Sequence, residues 1–131
     1  VPSTPEDPLA RVLIIEDEPA IRALYASALR AAGHEVLVAE DGAEGARRFH
    51  ADRPDVVVTD LIMPHREGIE LIREFRLERP EVRIVAVSGG GRALGFDSLP
   101  AARLLGADIT LRKPIRTEAL IQAVQDLVVR A

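Results

Sequence analysis

Val12-Leu13-Ile14-Ile15-Glu16-Asp17-Glu18-Pro19 changes character half-way: four aliphatic residues, three acids, then a proline. An uninterrupted aliphatic run suits a strand covered on both faces, because a half-exposed strand alternates apolar with polar. Pro19 suits the first turn of a helix, where its missing N–H costs nothing, and Asp17 or Glu18 stands where a cap belongs. Ile21, Leu24, Tyr25, Ala28 and Leu29 then recur at helical spacing until Gly33 stops the pattern. The stretch reads as strand, acidic turn and helix, the opening half of a β-α-β unit.

Outward from it the alternation repeats. Val36-Leu37-Val38, Val56-Val57-Val58, residues 82–87 and residues 107–111 are further aliphatic runs. Helices are predicted from about Gly42 to His50, around Ile69, Ile72 and Phe75 before Arg79-Pro80, and from Ser98-Leu99-Pro100 to Gly106. A last helix is expected from Thr117 as N-cap, with Leu120, Ile121, Val124, Leu127 and Val128 on one face. Five strand–helix pairs imply the α/β class: a doubly wound, five-stranded parallel sheet with helices on both faces, since right-handed crossovers deliver them there. Tyr25, Phe49 and Phe75 fall on the apolar stripes and are expected in the core.

The 131 residues fit one domain. Pro2, Pro5 and Pro8 interrupt a start without periodicity, so residues 1–10 read as a flexible leader or linker and 11–131 as the domain. Hydrophobic residues make up 47% and charged ones 29%, which permits a core and excludes collagen-like, coiled-coil and wholly disordered classes. A net charge of −4 gives no support for an electrostatic grip on nucleic acid or anionic lipid. The absence of cysteine removes disulfides, thiolate metal sites and cysteine nucleophiles, and fits a reducing cytosol. No apolar run reaches membrane-spanning length, and the expected location is cytoplasmic. His34, His50 and His65 share no metal-ligand spacing and are expected on the surface or in loops. Arg73, Arg76, Arg79 and Arg83 form a basic strip, most of which is expected to be solvated or paired with Glu70, Glu74 and Glu78.

Ligands of doubly wound sheets bind beyond the C-terminal ends of the strands. Here the first strand ends in Glu16-Asp17-Glu18 and the third in Asp60. In the flavodoxin-like order 2-1-3-4-5 those strands are neighbours, and their carboxylates share one crevice. Gathered carboxylates raise one another's pKa or take up a cation, and hard oxygen donors with room for water suit Mg²⁺. The competing reading makes Glu16 and Glu18 simple helix-terminus charges. The fourth strand ends in Ser88 and the fifth in Lys113-Pro114, so a hydroxyl and an ammonium flank the acids. Lys113 is the only lysine, against sixteen arginines. A compact, mobile point charge reaching a phosphoryl oxygen is work for which arginine is not equivalent.

Five pieces, each at a strand end and in this order, resemble the receiver domains of bacterial two-component response regulators. They are Leu13-Ile14-Ile15-Glu16-Asp17-Glu18-Pro19, Asp55 to Pro64 with Gly68, Ser88-Gly89, Gly106-Ala107-Asp108, and Lys113-Pro114. The resemblance spans about Arg11 to Arg130. It implies the strand order 2-1-3-4-5 and a Mg²⁺-dependent phosphoryl transfer, with Mn²⁺ as an alternative ion, from a histidine kinase or histidine phosphotransfer protein to Asp60. It further implies metal ligation by Glu16, directly or through water, by Asp17 and Asp60, and by the main-chain carbonyl of Ile62. Ser88 and Lys113 would each hold a phosphoryl oxygen, and Pro114 would follow a cis bond. On this reading the module signals by changed protein contacts, without nucleic acid or membrane, and is not a turnover enzyme.

Three positions depart from the family pattern. Glu16 is one methylene longer than the usual aspartate, which favours water-mediated metal contact. Thr110 stands where an aromatic residue is common. The stretch from Gly89 to Leu104 is longer than usual and opens with three glycines. The rival reading, a flavodoxin-like flavin- or nucleotide-binding module, needs a phosphate-cradling first turn. Here that turn is acidic, and neither G-x-G-x-x-G nor G-x-x-x-x-G-K-[ST] occurs.

Overall fold

A computed structural model describes residues 9–61, 68–89 and 99–129. Val12 to Ile15 are fully buried in β1 (Arg11–Ile15), as their uninterrupted aliphatic run requires. The chain continues through α1 (Pro19–Ala31), β2 (Glu35–Ala39), α2 (Gly42–Asp52), β3 (Val56–Asp60) and α3 (Gly68–Glu78). It ends with β4 (Arg83–Ser88), α4 (Leu99–Leu105), β5 (Ile109–Arg112) and α5 (Thr117–Val129). The five strands form one parallel sheet in the order β2-β1-β3-β4-β5, the expected flavodoxin-like order.

Alternation along the strands divides the core in two. Leu13, Ile15, Val57 and Ile84 face Phe49, Leu71, Phe75 and Ala102, so α2, α3 and α4 cover one side. Val12, Ile14, Val56 and Val58 face Tyr25, Leu29, Leu120, Val124 and Leu127, so α1 and α5 cover the other. Phe49 and Phe75 stack with centroids 4.0 Å apart. Each such side chain contributes about 1.5–3 kcal/mol through removal of apolar area from water.

Several ends differ from the expectation. Glu18 occupies the N-cap of α1 but makes no side-chain cap bond, and Pro19 opens the helix. At α5 the Arg116 carbonyl accepts the first helical bonds, from Ala119 and Leu120, so Thr117 is the first helical residue and not the cap. Ser98 lies outside the described residues, as do Gly90 and Gly91. β5 begins at Ile109, two residues later than its aliphatic run, because Asp108 is held by other bonds. Its N–H donates to the Ile84 carbonyl at 2.8 Å, and its carboxylate accepts from the Ile84 N–H at 2.7 Å and from Arg76 at 2.8 Å.

Arg76 is not a solvated strip residue. Its guanidinium donates to the carbonyls of Gly106, Val82 and Pro80 and fastens the end of α3 to the turn before β5. Gly106 sits at φ +122°, and a Cβ there would press on the Arg76 side chain. Arg79 bonds the Pro54 carbonyl and lies 4.8 Å over the Phe49 ring. His34 is buried and not a surface residue, and neither of its ring nitrogens has a hydrogen-bond partner among the described residues. No helix among the described residues is long and apolar enough to cross a membrane.

Candidate functional site

Because β1 and β3 are adjacent, the residues that leave their C-terminal ends converge. One carboxylate oxygen each of Glu16, Asp17 and Asp60 lies within 4.8 Å of the others. Glu16 and Asp60 are only 2% and 8% exposed, while Asp17 is half-buried. From the far side of the sheet edge Lys113 reaches in, and its Nζ donates to Glu16 Oε1 at 2.9 Å and to Asp60 Oδ2 at 3.0 Å. The lysine is aimed by its main chain, whose N–H donates to the Ser88 carbonyl at 2.7 Å, and the Lys113-Pro114 peptide is cis. Ser88 is fully buried at the end of β4, beside the lysine.

Glu16 is held on every side. Its Oε2 accepts the Glu18 N–H at 3.1 Å, its N–H donates to the Ala39 carbonyl, and its own carbonyl accepts from Arg22. Burial pushes the Glu16 carboxyl above its ordinary range, and the bonds from Lys113 and the Glu18 N–H only partly offset this. Burial alone would lower the Lys113 pKa. Its bonds to the two carboxylates outweigh that, and the ammonium is held above its usual value.

Among the described residues one ammonium, bonded to Glu16 and Asp60, stands beside three clustered carboxylates, two of them buried. A buried charge imbalance is costly unless a further cation joins it. The donors are all carboxylate oxygens, the hard ligands that Mg²⁺ and Mn²⁺ prefer, and the residues present fit such an ion. Ile62, expected to lend a carbonyl, lies outside the described residues. Glu18 is exposed and does not join the cluster.

Two residues grip the backbone around Asp60: Thr59, which carries no role in the motif, and Gly68, which belongs to the motif Asp55 to Pro64 with Gly68. Thr59 Oγ1 donates to the Asp60 main-chain carbonyl at 2.9 Å. The Gly68 N–H donates to the Leu61 carbonyl at 2.9 Å, and a Cβ on Gly68 would collide with the Asp60 carbonyl oxygen. The available signal for Thr59 was a lone hydroxyl between three valines and Asp60. Thr110 is half-buried on β5 and borders an open hollow with Pro100, Arg103, Leu111 and Arg112. A separate hollow of about 570 Å³, with Pro54, Asp55, Arg79 and Leu127 in its wall, opens at the opposite end of the sheet, away from the acids.

The family model described as the response regulator receiver domain matches residues 12–125. The chain belongs to this family. Among solved structures, this receiver domain is similar to a response regulator receiver domain protein from Clostridium thermocellum. The TM-score is 0.85 at 32% identity, over 92% of this chain and 95% of the other. It is also similar to the Francisella response regulator 1452 receiver domain, with a TM-score of 0.83 at 26% identity, over 92% and 98% of the two chains. The transcriptional regulatory protein GlrR of Escherichia coli K12 is 32% identical over 117 residues, covering 89% of this chain and 26% of GlrR. The response regulator MprA of Mycolicibacterium vanbaalenii is 32% identical over 124 residues, covering 92% of this chain and 51% of MprA. The receiver domain thus spans a quarter to half the length of these curated relatives.

Proposed function

We propose that Asp60 accepts a phosphoryl group from the phosphohistidine of a sensor histidine kinase or histidine phosphotransfer protein. An Asp60 carboxylate oxygen attacks phosphorus, the P–N bond breaks, and its electron pair returns to the imidazole of the donor, leaving an acyl phosphate on Asp60. Lys113 pairs with one phosphoryl oxygen and the Ser88 hydroxyl donates to another. Glu16, Asp17 and Asp60, with the main-chain carbonyl of Ile62, would hold Mg²⁺ or, in its place, Mn²⁺. When bound, the ion supplies charge neutralisation between an anionic carboxylate and an anionic phosphoryl group. Glu16 would contribute directly or through water, its extra methylene favouring water.

The observation that carries this reading is the Lys113 ammonium joining Glu16 and Asp60 inside a cluster of three carboxylates. It accounts for the single lysine of the chain, and it leaves a nucleotide or flavin phosphate nothing but acids at the first turn. Phosphorylation draws Lys113 and Ser88 toward the new oxygens, and the changed edge of β4 and β5 alters protein contacts. The module is a cytoplasmic phosphorelay signalling component whose acyl phosphate is consumed without turnover. With net charge −4, this segment works through protein partners and not by gripping nucleic acid itself.

Mass spectrometry after treatment with acetyl phosphate and Mg²⁺ tests the reading. One added phosphoryl group is expected, mapped to Asp60, absent from Asp60→Asn and absent when Mg²⁺ is chelated. Persistent labelling of Asp60→Asn moves the acceptor elsewhere and overturns it.

A further inference from the structure

Thr59 is conspicuous among its nearest neighbours on the sheet face, whose other hydroxyls, Ser88 and Thr110, lie on β4 and β5. Leu13, Ile15, Val57, Leu61, Ile84 and Ala86 belong to one apolar cluster, and Thr59 pairs across the ladder with Ile15 and Ala86. Thr59 is fully buried there. Valine has nearly the same shape, and it would fill the position without carrying a hydroxyl out of water. The hydroxyl is nonetheless present. It donates at 2.9 Å to the main-chain carbonyl of the very next residue, Asp60.

That carbonyl is fixed from a second direction. Gly68 packs against it so closely that no side chain fits, and the Gly68 N–H ties the start of α3 to the Leu61 carbonyl. The carbonyl carbon and the carboxylate arm of Asp60 branch from the same Cα. Holding the carbonyl between the Thr59 hydroxyl and Gly68 therefore fixes the direction in which the carboxylate leaves the backbone. It leaves toward Lys113 and Glu16. Reaction rates fall steeply when a reacting atom is displaced by about an ångström, so a bond that fixes this direction acts on rate more than on stability.

We infer that Thr59 is a positioning residue for the Asp60 carboxylate, its hydroxyl serving phosphoryl acceptance and not the packing of β3. The inference rests on Asp60 being the phosphoacceptor. A packing residue and a positioning residue respond oppositely to the two conservative changes at this site. Thr59→Val keeps the shape and removes the donor, whereas Thr59→Ser keeps the donor and removes a buried methyl group.

The test measures the rate of Asp60 phosphorylation by acetyl phosphate at saturating Mg²⁺, with the melting temperature of each variant. Thr59→Val is expected to label roughly tenfold more slowly while melting within about 4 °C of the parent. Thr59→Ser is expected to label at about the parental rate although it melts lower, so that rate and stability rank the two variants in opposite orders. If Thr59→Val does not fold, Thr59→Ala replaces it, with slowed labelling again expected. Labelling of Thr59→Val or Thr59→Ala at the parental rate overturns the inference, as does a Thr59→Ser variant slowed as much as Thr59→Val. A parent chain that labels on Asp60 beside an unaffected Thr59→Val sinks this inference alone. A parent chain that takes no phosphoryl on Asp60 sinks the phosphoacceptor reading and this inference with it.

Discussion

At the start of β1, Arg11 Nε meets Glu35 at 3.0 Å with both side chains 43% exposed; just past its end, Glu16 meets Lys113 at 2.9 Å with exposures of 2% and 18%. The two ion pairs differ little in length and greatly in surroundings. Water screens the first, which pairs one cation with one anion. The second sits in a cluster where, among the described residues, one ammonium stands beside three carboxylates. Exposed pairs are worth little, and a sheet edge can carry many of them without consequence. A buried, unbalanced group is expensive and persists where function requires it. Distance alone does not separate a fold-level charge from a functional one; burial and charge balance do.

Breaking the two pairs gives the largest predicted contrast. Lys113→Met leaves Glu16 and Asp60 buried without their cation and is expected to cost about 3 kcal/mol at pH 8, whereas Glu35→Gln costs about 0.5 kcal/mol or less. Urea unfolding of both variants measures this. The Lys113→Met deficit also depends on pH. Burial raises the Glu16 pKa from its ordinary 4.5, and removing the Lys113 bond that opposes burial raises it further. A carboxyl with a raised folded pKa binds its proton more tightly in the folded state, so stability falls as pH rises through the window above 4.5. The deficit therefore shrinks on acidification toward pH 5. Equal losses in the two variants would erase the distinction between the edges.

How far the sequence showed this depended on the kind of signal. The aliphatic runs marked five strands, because burial on two faces leaves a pattern that a single strand can carry, while the fourth helix had only a start at Ser98-Leu99-Pro100 and a stop at Gly106 to mark it. The meeting of Glu16, Asp17 and Asp60 was legible only through strand order, which came from the motif resemblance and not from periodicity. The late start of β5 was hidden, because Arg76 and Asp108 contact across 32 residues and neither announces the other. The burial of His34 was hidden as well. A histidine beside a turn glycine reads as loop, which His34 is, but only packing shows that the loop is buried there. Thr59 could have been noticed as the odd hydroxyl in Val56-Val57-Val58-Thr59, but its acceptor is a main-chain atom that no side-chain pattern reveals.

The next contrast concerns metal. A ligand that binds only the folded chain stabilises it by about 2.7 kcal/mol at a hundred times its Kd. Mg²⁺ is expected to raise the melting temperature of the parent and of Glu35→Gln equally, because the exposed edge offers no such cluster. Asp17→Asn removes one of the three donors and is expected to lose at least half of the shift at the same Mg²⁺ concentration. A full shift in Asp17→Asn, or one abolished in Glu35→Gln, would assign the ion to the wrong edge.

The smallest effect lies at the opposite edge, just before β2. Burial lowers the His34 pKa from its ordinary 6.5, and neither ring nitrogen has a hydrogen-bond partner among the described residues to hold a proton in place. Here the unfolded chain binds the proton more tightly than the folded one. Stability is therefore fully present above pH 6.5 and is lost as pH falls from 6.5 through the lower folded pKa. In His34→Leu this slope should flatten between neutral pH and about pH 5.5, where an unperturbed imidazole becomes charged. The Glu16 carboxyl moves the other way across its own window, so the edges respond to acid with opposite signs. Denaturant midpoints of the parent, His34→Leu and Lys113→Met at pH 5.5 and 7.5 separate the two. An unchanged slope in His34→Leu would mean that the imidazole takes up its proton without opening the turn between α1 and β2.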